Sequence, residues 1–193
     1  MVRLLDALLG RTKPVQANLD NLFRLSAVAI TLEGDTGLRS NGQGSVCFKA
    51  VAGRAFLDVQ DELEQVLQLD ASQSGTHLVE KDDNYGYHWV ALSDPGLEDL
   101  VVKVHLVNST LEERGFGPQL LCSVFGFTME RRPDPVHLVY VYKRGTFYPF
   151  APLPGEKRDN ELELQLRGVL TESLPVEPEL SSWFPVWGVP TAG

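Results

Sequence analysis

Four histidines, two cysteines and one cluster of basic and aromatic residues are the side chains of this sequence that could carry chemistry. His77, His88, His105 and His137 form no recognised metal-ligand motif with one another or with a Cys or Glu. His105 follows Val101 and Val104 on a helix flank and reads as a boundary side chain. His77, His88 and His137 fall on strand-like runs and could meet only in space. Cys47 and Cys122 lie far apart in apolar runs and read as small buried core residues. No paired-cysteine metal motif or secretory disulfide framework is visible.

The other motifs of catalysis are missing too. No Gly-x-Ser-x-Gly nucleophile elbow occurs. Gly42-Gln43-Gly44 and Gly115-Phe116-Gly117 lack the third glycine and the following helix of a phosphate cradle. Asp82-Asp83-Asn84 opens like a calcium loop but lacks its glycine and glutamate positions, and reads as a solvated turn. The expectation is a protein with no catalytic residues, no metal site and no cofactor, and not an enzyme.

One stretch stands out, from Tyr140 to Asn160. Lys143, Arg144, Lys157 and Arg158 interleave there with Phe147, Tyr148 and Phe150 in an otherwise acidic chain. Tyr and Arg make rigid amphipathic anchors, so this composition suits a surface for a partner or a ligand. It equally suits aromatics sealing a core under a long loop, with Arg144 and Arg158 paired to acidic neighbours. The tail run Trp183-Phe184-Pro185-Val186-Trp187 poses the same choice. Trp183, Phe184 and Trp187 must dock on this chain or on another.

The elements around these residues follow from hydrophobic period and turn chemistry. Leu4, Leu5, Leu8 and Leu9 share one side of a short amphipathic helix that Gly10 and Pro14 close. It could pack on its own domain, on a partner helix or at a membrane surface. Asn18 is read as the cap of a second short helix through Leu25. Val28–Glu33 reads as a strand, Gly34–Gly44 as a polar loop and Ser45–Val51 as the returning strand of a long-looped hairpin. Phe56, Val59, Leu63, Val66 and Leu67 mark a helix over Arg54–Leu69.

His77–Lys81 and Tyr87–Leu92 form a second hairpin around Asp82–Gly86. A helix then starts at Pro95 and stops at Gly115. Gln119–Met129 and Val136–Lys143 make the clearest hairpin, turning through Arg131–Pro135. Both strands are apolar on both flanks, as in strands covered on two faces. Asp159–Leu170 is the last helix. Strand pairs separated by helices predict one α+β domain over residues 1–193, with a mainly antiparallel sheet and amphipathic helices packed on it. Residues 1–14 would be an amphipathic segment, and 175–193 a tail rich in Pro and Trp packed on a surface.

Of the 193 residues, 43% are hydrophobic and 22% charged, which is ordinary for a chain with a real core. The formal net charge of −9 disfavours nucleic acid as a partner and broad docking on anionic lipid. No run approaches the ~20 apolar residues of a membrane span, and no signal peptide is evident. The expected location is the cytoplasm, with recruitment to the inner face of the membrane left open and membrane contact at most peripheral.

Four segments together resemble one known family: Leu5-Asp6-Ala7-Leu8-Leu9-Gly10-Arg11-Thr12-Lys13-Pro14, Gly115-Phe116-Gly117-Pro118-Gln119-Leu120-Leu121-Cys122, the stretch Tyr142–Asn160, and Trp183-Phe184-Pro185-Val186-Trp187-Gly188. The chain is similar nearly end to end to the PspA-associated proteins called PspAB, found mainly in actinobacteria and some archaea. The resemblance implies a place in the phage-shock response to envelope stress. It implies as partners a PspA-type coiled-coil protein or an HtpX-like membrane protease, and it assigns no site residues. The leading expectation is a non-enzymatic adaptor or regulator. The alternatives are a small-molecule or nucleotide-binding domain using residues 140–160, and a peripheral lipid-binding protein. A homodimer stays open.

Overall fold

The computed structural model describes residues 19–192, apart from 52, 55, 64, 66–76 and 131. The expected N-terminal helix with Leu4, Leu5, Leu8 and Leu9 lies outside the described residues, as do Asn18 and the end of the helix expected to reach Leu69. The chain is α+β, built on a six-stranded sheet whose paired strands are all antiparallel. Its strands are β1 (Leu38–Lys49), β2 (His77–Asp82), β3 (Tyr87–Ser93), β4 (Leu120–Met129), β5 (Arg132–Val141) and β6 (Thr146–Phe150), in the order β2-β3-β1-β4-β5-β6. The helices are α1 (Arg24–Ala27), α2 (Ala29–Thr36), α3 (residues 56–63), α4 (Leu97–Glu113) and α5 (Asn160–Leu170). A two-stranded ribbon, β7 (Pro152–Leu153) with β8 (Lys157–Arg158), stands apart from the main sheet.

Two expected features are corrected. Residues 28–33 are not a strand, because Ala29–Thr36 is helical. Their β-branched side chains suggest a strand, yet Leu32 is buried while Ile30 is 90% exposed. Gly37 closes the helix in the left-handed conformation at φ 74°, with its N–H on the Glu33 carbonyl. The expected polar loop over Gly34–Gly44 is therefore mostly the start of β1. Among the described residues no strand precedes it. It runs through the sheet between β3 and β4, and a bulge between Ser40 and Gly44 absorbs the glycine-rich stretch.

The expected Arg131–Pro135 turn is also shorter than read. Pro133 and Pro135 belong to β5, where the register with β4 slips between Phe127 and Met129. The irregular ladder there tolerates residues that cannot donate a hydrogen bond.

The strands alternate between two apolar faces. Val136, Leu138 and Tyr140 of β5 join Val46, Phe48, Val90, Leu92, Phe125 and Phe127 on one face. Helix α4 covers it with Leu100, Val101, Val104, Val107 and Leu111, and the other helices add Leu25, Leu32, Phe56, Leu63, Leu166 and Leu170. Asn108 of α4 donates to Ser123 Oγ at 3.2 Å, and Ser123 hydrogen-bonds the Tyr142 hydroxyl. This buried polar chain fixes the helix against β4 and the end of β5. Lys103 and Asp94 form a buried ion pair at the start of the same helix.

The opposite face carries Cys47, Trp89, Val124, Val139, Tyr148 and Phe150. The C-terminal segment covers it through Trp183, Val186, Trp187 and Val189. The apolar flanks of β4 and β5 therefore have the expected cause, cover on both faces.

Candidate functional site

The basic-aromatic stretch becomes a clamp on the chain's own tail. Phe147, Tyr148 and Phe150 of β6 are buried, so these three form core and not surface. Phe147 donates its N–H to the Pro175 carbonyl at 2.8 Å and accepts from Glu177 N at 2.8 Å, which seals the outer edge of β6. Tyr148 stacks on Trp183 with ring centroids 5.8 Å apart and donates its hydroxyl to the Phe184 carbonyl at 2.8 Å. Burial holds its phenol well above the usual range. Phe150 meets the edge of Trp187 at 4.8 Å.

The two arginines do not converge. Arg144 Nη1 donates to Glu177 Oε1 at 2.8 Å, while Thr146 donates to the other oxygen at 2.8 Å. Glu177 is itself buried, and its backbone carbonyl accepts Trp183 Nε1–H. Arg158 donates twice to Glu163, once to the Trp183 carbonyl, and lies over the Phe150 ring. Each guanidinium thus faces its own buried carboxylate. Lys143 and Lys157 remain exposed.

Glu163 and Glu177 were not singled out by sequence reasoning. A signal for Glu163 existed. It sits three and seven residues before Leu166 and Leu170, on the apolar stripe of α5, where a charge is out of place unless partnered. Glu177 had no comparable local signal, since its partners lie 33 and 31 residues away.

An exposed apolar patch borders this clamp. Arg158, Asn160, Glu163, Leu164, Leu180 and Trp183 line an open cleft of about 180 Å³. Leu164 and Leu180 are each about half exposed, and Phe184, next to Trp183 in the chain, is 67% exposed. Of the three expected tail contacts, Trp183 and Trp187 turn inward on β6, whereas the Phe184 ring faces solvent.

The histidines stay apart. His77 is exposed on β2. His88 is buried, with Nδ1 2.8 Å from Asp82 Oδ1 and Nε2 3.2 Å from Glu80 Oε2. Burial alone would lower its pKa, but the two carboxylates outweigh burial and hold it above the usual value. His105 packs on Phe23 and burial holds it low. His137 stacks on Phe150, and burial pulls it down to about 4. Among the described residues no group of three or more His, Cys, Asp or Glu is placed to hold a metal ion. Among them, too, no helix is long and apolar enough to cross a membrane.

The model of the family described as PspA associated protein B matches residues 2–191, nearly the whole chain. The chain belongs to the PspAB family. That family's description makes it an associated protein of PspA, which agrees with the phage-shock connection implied by the sequence segments. No curated protein and no solved structure matches this PspAB chain.

Proposed function

We propose that this protein is a non-enzymatic adaptor of the phage-shock response that binds a helix of a PspA-type coiled-coil protein. The family match over residues 2–191 carries the reading, because its description associates the family with PspA. The docking surface we assign is the cleft rim of Leu164 and Leu180, with the exposed Phe184 that follows Trp183 as a further contact. Half-exposed leucines and a largely exposed Phe suit the apolar face of an amphipathic helix. Arg158, which lines the same cleft, supplies a charge for the rim. The non-enzymatic part rests on the motif survey and on the use of Arg144 and Arg158 inside the fold.

The test is co-purification with the PspA-type protein of the same host, followed by titration calorimetry. Leu164→Glu with Phe184→Glu is expected to weaken binding at least tenfold, about 1.4 kcal/mol. Leu5→Glu with Leu8→Glu tests the N-terminal segment in parallel. Failure of the wild-type chain to capture the coiled-coil protein rules out the partner. Capture unaffected by the first pair rules out the patch. An HtpX-like membrane protease is the second bait for the same experiment. A thermal-shift panel of nucleotides and phosphorylated metabolites addresses the small-molecule alternative, since a ligand at 100 times its Kd adds about 2.7 kcal/mol.

A further inference from the structure

Cys47 and Cys122 face each other across the middle of the sheet. They are direct partners in the antiparallel β1–β4 ladder, so their side chains leave the same face. That face is the one beneath the C-terminal segment, where both pack with Trp89, Tyr148 and Trp183. Directly opposed residues of an antiparallel pair have Cα atoms about 4.5–5.5 Å apart, within the span that a disulfide bridges. Both residues are thiols in this structure. The neighbouring Cys122 thiol is the main reason that Cys47 titrates far above the usual thiol range, and burial adds to it.

The two thiols differ in access. Cys47 is 3% exposed, whereas Cys122 is only half-buried. The β1–β4 register slips directly after Cys47, and such an irregularity gives a strand room to re-aim a side chain.

We propose that Cys47 and Cys122 form a reversible intramolecular disulfide, closed by exchange with a small-molecule disulfide that enters at Cys122. Cys122 releases its proton to solvent, and its thiolate attacks one sulfur of the incoming disulfide. That S–S bond breaks, one half leaves and takes up a proton, and the other half stays on Cys122. Cys47 then gives up its proton and attacks Cys122 Sγ. The protein disulfide forms as the second half departs, also protonated. Two protein thiols are oxidised and one external disulfide is reduced to two thiols, so electrons and protons balance. Access sets the order, because a bulky oxidant reaches Cys122 and not Cys47.

The test incubates the full chain, natively folded, with oxidised glutathione, then reads intact mass and thiol content after acid quench and unfolding. The expected product has lost two hydrogens, carries no glutathione and shows no reactive thiol. Dithiothreitol restores both thiols. Cys47→Ser is expected to trap one glutathione on Cys122, and Cys122→Ser to stay unmodified. The proposal is overturned if the wild-type chain keeps both thiols, holds a stable glutathione adduct, or crosslinks only between chains. Should Cys47→Ser fail to fold, Cys47→Ala replaces it, and the wild-type mass decides by itself. No partner protein is needed, so the outcome is independent of the docking reading.

Discussion

Arg158 and Glu163 meet at two points, with Nε 3.1 Å from Oε1 and Nη2 2.8 Å from Oε2. The same Oε1 accepts the Ala151 N–H at 2.9 Å. The remaining guanidinium nitrogen donates to the Trp183 carbonyl, and the group lies 5.1 Å from the Phe150 ring centroid. One buried carboxylate therefore ties β8 and α5 to the end of β6, and its arginine ties them to the tail.

Removing that carboxylate strands its partners. Glu163→Ala leaves two donors of a mostly buried guanidinium, Nε and Nη2, and the buried Ala151 N–H without their acceptor. The expected loss is about 3 kcal/mol, read from urea unfolding. Arg158→Lys keeps the charge but cannot make the two-point contact, and should cost about 1 kcal/mol.

Neighbouring tail aromatics should behave oppositely. Trp183 is 5% exposed and Phe184 is 67% exposed. Trp183→Ala should cost about 3–5 kcal/mol through the cavity it leaves under the tail. Phe184→Ala should stay within about 0.5 kcal/mol, as for a surface substitution. Equal effects on the thermal midpoint would contradict this placement of the tail.

His137 predicts acid sensitivity. Burial pulls its folded pKa down to about 4, while the unfolded chain keeps an ordinary value near ~6.5. A depressed folded pKa contributes stability that is whole above about pH 6.5 and lost as pH falls towards about 4. Over that window the loss is at most about 3 kcal/mol. Urea titrations between these limits should show the slope, and His137→Phe should remove it.

His88 slopes the other way. Its folded pKa is raised, because Glu80 and Asp82 outweigh the opposing effect of burial. Its contribution is full below the unfolded value and fades as pH rises through the folded one. An NMR titration should place His88 above the usual histidine value. Glu80→Gln with Asp82→Asn should bring it below, where burial alone would leave it.

Gly42 predicts a steric failure at the β1 bulge. Its φ is 72°, and an added Cβ would lie 2.7 Å from the Asp94 carbonyl oxygen, which is backbone and cannot swing away. Gly42→Ala should cost about 2–3 kcal/mol from strained φ alone, with the clash added, and lower the thermal midpoint.

Local patterns were the readable ones. The β2–β3 and β4–β5 hairpins and helices α4 and α5 follow from a few adjacent residues each: a polar turn, a stripe of Leu and Val, and Asp159, whose carboxylate caps α5 through the Leu162 N–H. Residues 28–33 misled because their β-branched composition favours a strand, while burial of Leu32 against the rest of the core and the Gly37 cap favour a helix. Propensity is the weaker force wherever packing opposes it. The stretch from Tyr140 to Asn160 was recognised as unusual for a sound reason, since Tyr and Arg anchor contacts. Its observed contact is the chain's own tail, whose segments lie 25 to 36 residues away.

The sequence by itself determined the α+β class, the mostly hairpin-built antiparallel sheet, the missing catalytic motifs and the family. Only the tertiary structure decided that β1 lies between β3 and β4, that Cys47 opposes Cys122, and that Glu163 and Glu177 occupy the arginines. The physical reason is range. Periodicity states which side of an element is apolar, because that depends on residues one or two turns apart. What lies against that side depends on strand order and on contacts such as that of Gln43 with Ala192, 149 residues apart, which no local pattern encodes.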